Sequence, residues 1–272
     1  MIIKKSPLLL ILSLALHLCS LAAVVDTVSI YSASMKKEIK CVVITPEHHS
    51  TQSRQFPVVY LLHGYSGNYG NWITLVPELK NYADEWNMII VCPDGHYSSW
   101  YFDSPIDSTM RYETFVAVEV PNYIDGKYPT IRSRKGRAIT GLSMGGHGGL
   151  FLGFRHAETF GACGSMSGGV DLNTSRNRYD IIKRIGDTSA YSENWINYST
   201  INVVEKYPAD SLAIIIDCGT EDFFYASNVA LHRKMLELKI PHEYIERPGR
   251  HNWAYWRNAV RFQLFYFYSY FH

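Results

Sequence analysis

Ser143, Asp222 and His251 are the residues whose types and order in this chain could carry out nucleophilic chemistry. A serine hydroxyl is a poor nucleophile near neutral pH. It becomes reactive when a histidine takes its proton and a carboxylate orients that histidine. Ser143 stands in Gly141-Leu142-Ser143-Met144-Gly145, a G-x-S-x-G pattern. The run Arg137-Ala138-Ile139-Thr140 before it reads as a short buried strand. The apolar run Leu150-Phe151-Leu152-Gly153-Phe154 after it reads as helix. Strand, tight turn and helix is the context that holds a serine hydroxyl clear of a sheet edge. The flanking glycines leave room where strand and helix pass closely. The chemistry expected is attack on a carbonyl carbon, an acyl-serine intermediate, and its release by water.

The acid and the base each have competitors. A buried strand over 212–217 leads into Cys218-Gly219-Thr220-Glu221-Asp222. Asp222 lies beyond a Gly-Thr turn and is the favoured acid. Glu221 is the runner-up, and Asp217, at the strand end, reads as structural. A last strand over 241–245 leads into Pro248-Gly249-Arg250-His251-Asn252-Trp253. His251 therefore falls on the same sheet edge as Ser143 and Asp222, where ligands bind in open α/β sheets. His147 is one helical turn past Ser143 and points along the helix. His63 precedes a glycine at a strand end and reads as a turn-stabilising residue. His96, in a loop, is the main rival. Negative charge on a reacting carbonyl oxygen needs backbone N–H donors. Met144, just after the serine, and Tyr65, in the loop after Leu61-Leu62-His63-Gly64, are the candidates.

Positioning these loops takes a sheet whose strands all end at one edge. Continuous apolar runs at 56–62 and 88–92 suit strands buried on both faces. Two further β-like runs lie at 27–31 and 39–44, and another at 160–167. Helices are expected over 76–86, 112–123, 227–239 and 253–271, with Phe115, Val116, Val118 and Val120 as core candidates of the second. Strands and helices alternate. That implies an α/β fold, with a mostly parallel central sheet and helices on both faces. Residues 24–272 read as one catalytic domain, with 171–208 as a cap or insertion.

The chain has 272 residues, 47% hydrophobic and 19% charged, with a formal net charge of +1. It can bury a large core, and no basic excess points to nucleic acid. Lys4 and Lys5 precede Leu8-Leu9-Leu10-Ile11-Leu12, and small residues follow near Ala22 and Ala23. Residues 1–23 read as a secretory signal peptide cleaved after Ala22 or Ala23. A retained anchor is the alternative, because the uncharged run to Val25 nearly suffices to span a bilayer. His17 and Leu18 argue against lipidation at Cys19. The expectation is a secreted or periplasmic protein with no membrane contact after cleavage. Cys41, Cys92, Cys163 and Cys218 sit in or beside apolar runs and read as buried thiols. Their spacing matches no metal motif, and no cofactor or metal is expected.

Together, Leu61-Leu62-His63-Gly64, Pro93-Asp94-Gly95, Ser99-Trp100-Tyr101, Gly141-Leu142-Ser143-Met144-Gly145-Gly146, Cys218-Gly219-Thr220-Glu221-Asp222 and Gly249-Arg250-His251-Asn252-Trp253 resemble the esterase D-like family of α/β hydrolases. That family includes S-formylglutathione hydrolases, mycolyltransferases, tributyrin esterases, and the acetyl and feruloyl carbohydrate esterases. The resemblance implies an α/β-hydrolase fold with Ser143, Asp222 and His251 as its triad and Tyr65 and Met144 as its oxyanion donors. Arg250 departs from the pattern, where a second glycine often precedes the histidine. With export, it implies a serine carboxylesterase acting on a small ester or acylated oligosaccharide. An acyltransferase or thioester hydrolase is the alternative, and a non-catalytic binding protein a third. Trp100, Tyr101 and Trp253, in loops at the expected edge, are candidate substrate-binding residues.

Overall fold

The computed structural model describes residues 23–47, 54–206 and 212–272, so the expected signal peptide, apart from Ala23, lies outside the described residues. Eight strands among the described residues form one sheet: β1 (Val24–Ser32), β2 (Lys37–Thr45), β3 (Val58–Leu62), β4 (Ile89–Pro93), β5 (Arg137–Gly141), β6 (Ala162–Met166), β7 (Ala213–Gly219) and β8 (Glu243–Arg247). Their spatial order is β1-β2-β4-β3-β5-β6-β7-β8. Only β2 runs against the others, pairing antiparallel with both β1 and β4. The strands β3 to β8 are parallel. Every residue of β3, β4 and β6 is buried. That double-sided burial is why these strands read as unbroken apolar runs rather than alternating ones.

Helices α1 (Asn71–Leu75) and α2 (Leu79–Glu85) share one face of the sheet with α10 (Trp253–Phe271). The other face carries α3 (Tyr112–Thr114) and α4 (Val120–Lys127), joined by a π-helical turn over Phe115–Glu119, together with α5 (Met144–Arg155) and α9 (Tyr225–Glu237). Two expectations need correction. The helix expected over 76–86 is shorter, α2 alone, and a separate short helix, α1, precedes it; Pro77 lies between the two and cannot donate to a helical ladder. Val118 is exposed at 43%, whereas Val116 and Val120 are fully buried. Val118 is two residues along the helix from each of them, close to half a turn, and so lies on the opposite side.

Between β6 and β7 the chain forms a 3₁₀ turn over Leu172–Ser175 and three short helices: α6 (Ile181–Ile185), α7 (Ser192–Tyr198) and α8 (Thr200–Val203). Cys41, Cys92, Cys163 and Cys218 are all buried and unpaired. No helix of the described residues is long and apolar enough to cross a membrane.

The strand order reverses at β3. Its successor β4 lies on one side of it, and the next strand, β5, on the other. At such a switch point the loops leaving the carboxyl ends of neighbouring strands part and open a crevice. The loop after β3 carries Gly64 and Tyr65, and the loop after β5 carries Ser143. Loops after β7 and β8 bring Asp222 and His251 to the same edge.

Candidate active site

Ser143 sits between β5 and α5 with φ 55° and ψ −116°. For a residue with a Cβ this is a rarely populated conformation, costing on the order of 1–3 kcal/mol. It is held by its surroundings. The Ser143 amide donates to the Met166 carbonyl, and the Ser143 carbonyl accepts from His147 and Gly169. Close passage of α5 over the end of β3 requires glycine at 145. A Cβ there would lie 2.5 Å from the Leu62 carbonyl oxygen and 2.6 Å from that of His63. Both atoms are backbone and cannot swing aside. Gly145→Ala is expected to destabilise the protein by about 3 kcal/mol, measured by urea unfolding. A wild-type midpoint would refute the contact.

His251 Nε2 lies 2.9 Å from Ser143 Oγ. Its Nδ1 lies 2.8 and 3.0 Å from the two carboxylate oxygens of Asp222. An ionised carboxylate only accepts, so Nδ1 carries the ring proton and Nε2 is left to accept from the serine hydroxyl. The Asp222 side chain is fully buried and that of His251 is 13% exposed. The Phe224 amide donates to Asp222 Oδ1 at 2.8 Å and fixes the carboxylate.

Two backbone hydrogen bonds fasten the acid loop to the histidine loop: Thr220 N–H to the Arg247 carbonyl and Glu221 N–H to the Gly249 carbonyl. Beneath them, the buried Asp217 accepts from Arg247 and Tyr255. Burial pushes its carboxyl above the usual range, and these two donors oppose the shift. Asp217 is therefore a brace at the base of both loops. Glu221 points outward and pairs with Arg250, the two side chains being 51% and 75% exposed. Arg250 thus belongs to the surface.

The rival histidines are engaged elsewhere. His147 is buried, its Nε2 donating to the Tyr198 carbonyl at 2.8 Å. Burial pushes it down to about 4, against that hydrogen bond. His96 packs beside Tyr112, and its Nδ1 accepts from the Ser98 amide. His63 spans the turn after β3. Its Nε2 accepts from the Gly95 amide at 2.7 Å, and its Nδ1 donates to the Gly64 carbonyl at 2.8 Å. Gly67 N–H also donates to that carbonyl. Pinning this carbonyl sets the direction of the N–H on the same peptide, which is that of Tyr65. Met144 is the first residue of α5, where a backbone N–H has no intrahelical acceptor and faces the positive end of the helix dipole. These two amides can serve as donors to an oxyanion.

An open cleft of about 360 Å³ lies over Ser143 and His251. Trp253 lines it and is held edge-on to Trp72 at 5.2 Å. Trp100 and Tyr101 do not reach it: they are 1% and 0% exposed. Both have positive φ, 55° and 60°, and this double left-handed turn sends the rings into the core. Tyr101 donates its hydroxyl to the His63 carbonyl, and Trp100 donates its indole N–H to the Tyr179 carbonyl. Their assignment as substrate-binding residues is corrected to support beneath the cleft. Four other lining residues escaped sequence reasoning: Asn71, Tyr179, Phe223 and Trp256. Phe223 directly follows Asp222, is 60% exposed, and lies 4.2 Å from the His251 ring. Its adjacency to the acid was the one signal that could have found it. Among the described residues no group of three or more His, Cys, Asp or Glu is placed to hold a metal ion.

The mostly parallel sheet, the strained serine at its carboxyl edge and the Ser-His-Asp contacts define an α/β hydrolase. Residues 32–264 match the Esterase family model. The chain belongs to that family and is a carboxylic ester hydrolase. It is 24% identical over 253 residues to an acetyl esterase of Caldicellulosiruptor saccharolyticus, covering 86% of this chain and 94% of that one. It is 26% identical over 235 residues to the S-formylglutathione hydrolase of Bos taurus, covering 77% and 80% respectively. The solved structure of a ferulic acid esterase superposes with a TM-score of 0.79 at 28% identity, over 92% of this chain and 99% of that chain.

Proposed function

We propose that this protein is a secreted serine carboxylesterase that removes small acyl groups, of acetyl or feruloyl type, from carbohydrate esters. The geometry of the site supports the following hydrolytic steps. Ser143 Oγ attacks the ester carbonyl while its proton passes to His251 Nε2. The oxyanion is received by the N–H groups of Tyr65 and Met144. His251 then protonates the departing alkoxide, and water repeats the sequence on the acyl-serine. Asp222 keeps the imidazole in the competent tautomer and stabilises its charged form.

The observation that carries the substrate reading is the lining of the cleft. Tyr65, Tyr179, Phe223, Trp253 and Trp256 surround the serine, and Asn71 supplies a polar group. Aromatic faces stack on sugar rings and phenolic acids, and a few polar groups fix their orientation. Similarity to an acetyl esterase and a ferulic acid esterase agrees with this. The basic and apolar leader in the sequence supports export.

A kcat/KM comparison tests the proposal, using acetylated xylo-oligosaccharides, methyl ferulate, S-formylglutathione and p-nitrophenyl esters from C2 to C12. The oligosaccharide acetates or methyl ferulate should lead, and the p-nitrophenyl series should fall by roughly tenfold or more beyond C4. A preference for the thioester, or a maximum at C8 or longer, would rule out the carbohydrate assignment and leave the serine chemistry standing.

A further inference from the structure

The loop over 176–183 lines a second, open cavity of about 270 Å³ beside the cleft. Tyr179 is a wall of both. Its position is fixed from three sides. Its carbonyl accepts the Trp100 indole N–H at 2.9 Å. Its ring packs edge-on against Tyr65 at 5.3 Å. Tyr179 and Asp180 both adopt left-handed backbone, φ 58° and 56°, which turns the loop sharply at this point.

The charges of this loop are unevenly matched. Lys183 is paired with Asp180 at 2.9 Å, and Arg184 with Asp107 at 3.3 Å. Arg176 is oriented by a neutral group, its Nε and Nη2 lying 3.2 and 2.8 Å from Asn173 Oδ1. Arg178, exposed and adjacent to Tyr179, has no side-chain partner among the described residues. Two cations without a carboxylate partner, Arg176 and Arg178, therefore line this cavity together with the neutralised Asp180–Lys183 pair, and it shares a wall with the cleft. The other acid near this loop, Asp171, is turned to the Asn173 amide.

We propose that this cavity is a second subsite, which binds a carboxylate carried on the leaving-group half of the substrate. Arg178 supplies the charge, Arg176 a second guanidinium, and Tyr179 the wall along which the substrate passes from one cavity to the other. A guanidinium suits this ligand because it binds a carboxylate through two parallel N–H donors. The proposal rests on Ser143 being the nucleophile of the neighbouring cleft. Two sources share the chemistry: a uronosyl residue on an acylated oligosaccharide, and the carboxylates of a peptide thioester such as S-formylglutathione.

The test compares acidic and neutral partners in two arms. One uses acetylated xylo-oligosaccharides with and without a glucuronosyl branch. The other uses S-formylglutathione and the neutral S-formyl-N-acetylcysteamine. In at least one arm the acidic substrate should lead by about tenfold in kcat/KM, through KM, and lose that lead in 1 M salt. Arg178→Glu should lower the acidic-to-neutral ratio by about tenfold, and Arg178→Lys should retain part of it. Calorimetry on Ser143→Ala with the deacetylated oligosaccharides reads the subsite without any chemistry, so a failure of the serine mechanism is separable from a failure of the subsite. Equal kcat/KM for acidic and neutral partners in both arms would overturn the proposal. So would an Arg178→Glu variant that weakens both partners alike.

Discussion

Ser143→Ala is expected to lower kcat for p-nitrophenyl acetate by roughly four to six orders of magnitude, with the fold retained. The expectation follows from contacts made by a single atom. Ser143 Oγ is the group within 2.9 Å of His251 Nε2. Removing it leaves the histidine without a nucleophile to activate, while the candidate oxyanion donors, being backbone, stay in place. His251→Ala should cost nearly as much, because residues that act as a unit fail together. The strained backbone at 143 gives an independent check. Alanine keeps the cost of φ 55°, whereas glycine adopts that conformation freely. Ser143→Gly should therefore be as inactive as Ser143→Ala and more stable by about 1 kcal/mol in urea unfolding. Near-normal turnover by a folded Ser143→Ala variant would remove the mechanism. Equal stability of the two variants would show that the elbow stores no strain.

Much of this architecture could be read from the chain, for physical reasons. Parallel strands buried on both faces must be apolar at every position, so β3 and β4 announced themselves as runs. Each carboxyl end of such a strand opens on one edge, so loops carrying Ser143, Asp222 and His251 had to meet there once the strands were placed. What remained illegible was direction. A loop position states which edge a residue occupies, but not whether its ring turns outward or inward. Trp100 and Tyr101 turn inward because of two successive left-handed residues, a conformation that neither side chain advertises. Tyr179 turns into the cleft from a segment with no regular periodicity, and it does so because the buried Trp100 holds its carbonyl. Trp256 was hidden for another reason. It lies on α10 amid core aromatics and is only 6% exposed, yet the exposed fraction faces the cleft.

Asp222→Asn is expected to lower kcat by about four orders of magnitude, while Glu221→Gln should leave it within about threefold, because Glu221 has only an exposed ion pair to lose. The two residues are adjacent, and the structure separates their roles. Glu221 meets Arg250 in solvent. Its one link to the histidine loop is its backbone N–H on the Gly249 carbonyl, which glutamine preserves. Asp222 Oδ1 takes the Phe224 amide at 2.8 Å and lies 3.0 Å from His251 Nδ1, while Oδ2 makes the shorter contact with His251 Nδ1, at 2.8 Å. In the asparagine variant the Phe224 N–H will select the amide oxygen. The NH₂ group is then turned toward His251 Nδ1. An imidazole facing that donor must accept at Nδ1 and carry its proton on Nε2, where it can no longer take the serine proton. The variant should therefore hold its ring in place, fold normally and bind substrate with little change in KM, while kcat collapses. Steady-state kinetics on both variants, with thermal unfolding to confirm the fold, decide the matter. A Glu221→Gln variant more damaged than Asp222→Asn would move the acid to Glu221 and break the link between the Phe224 amide and the histidine tautomer.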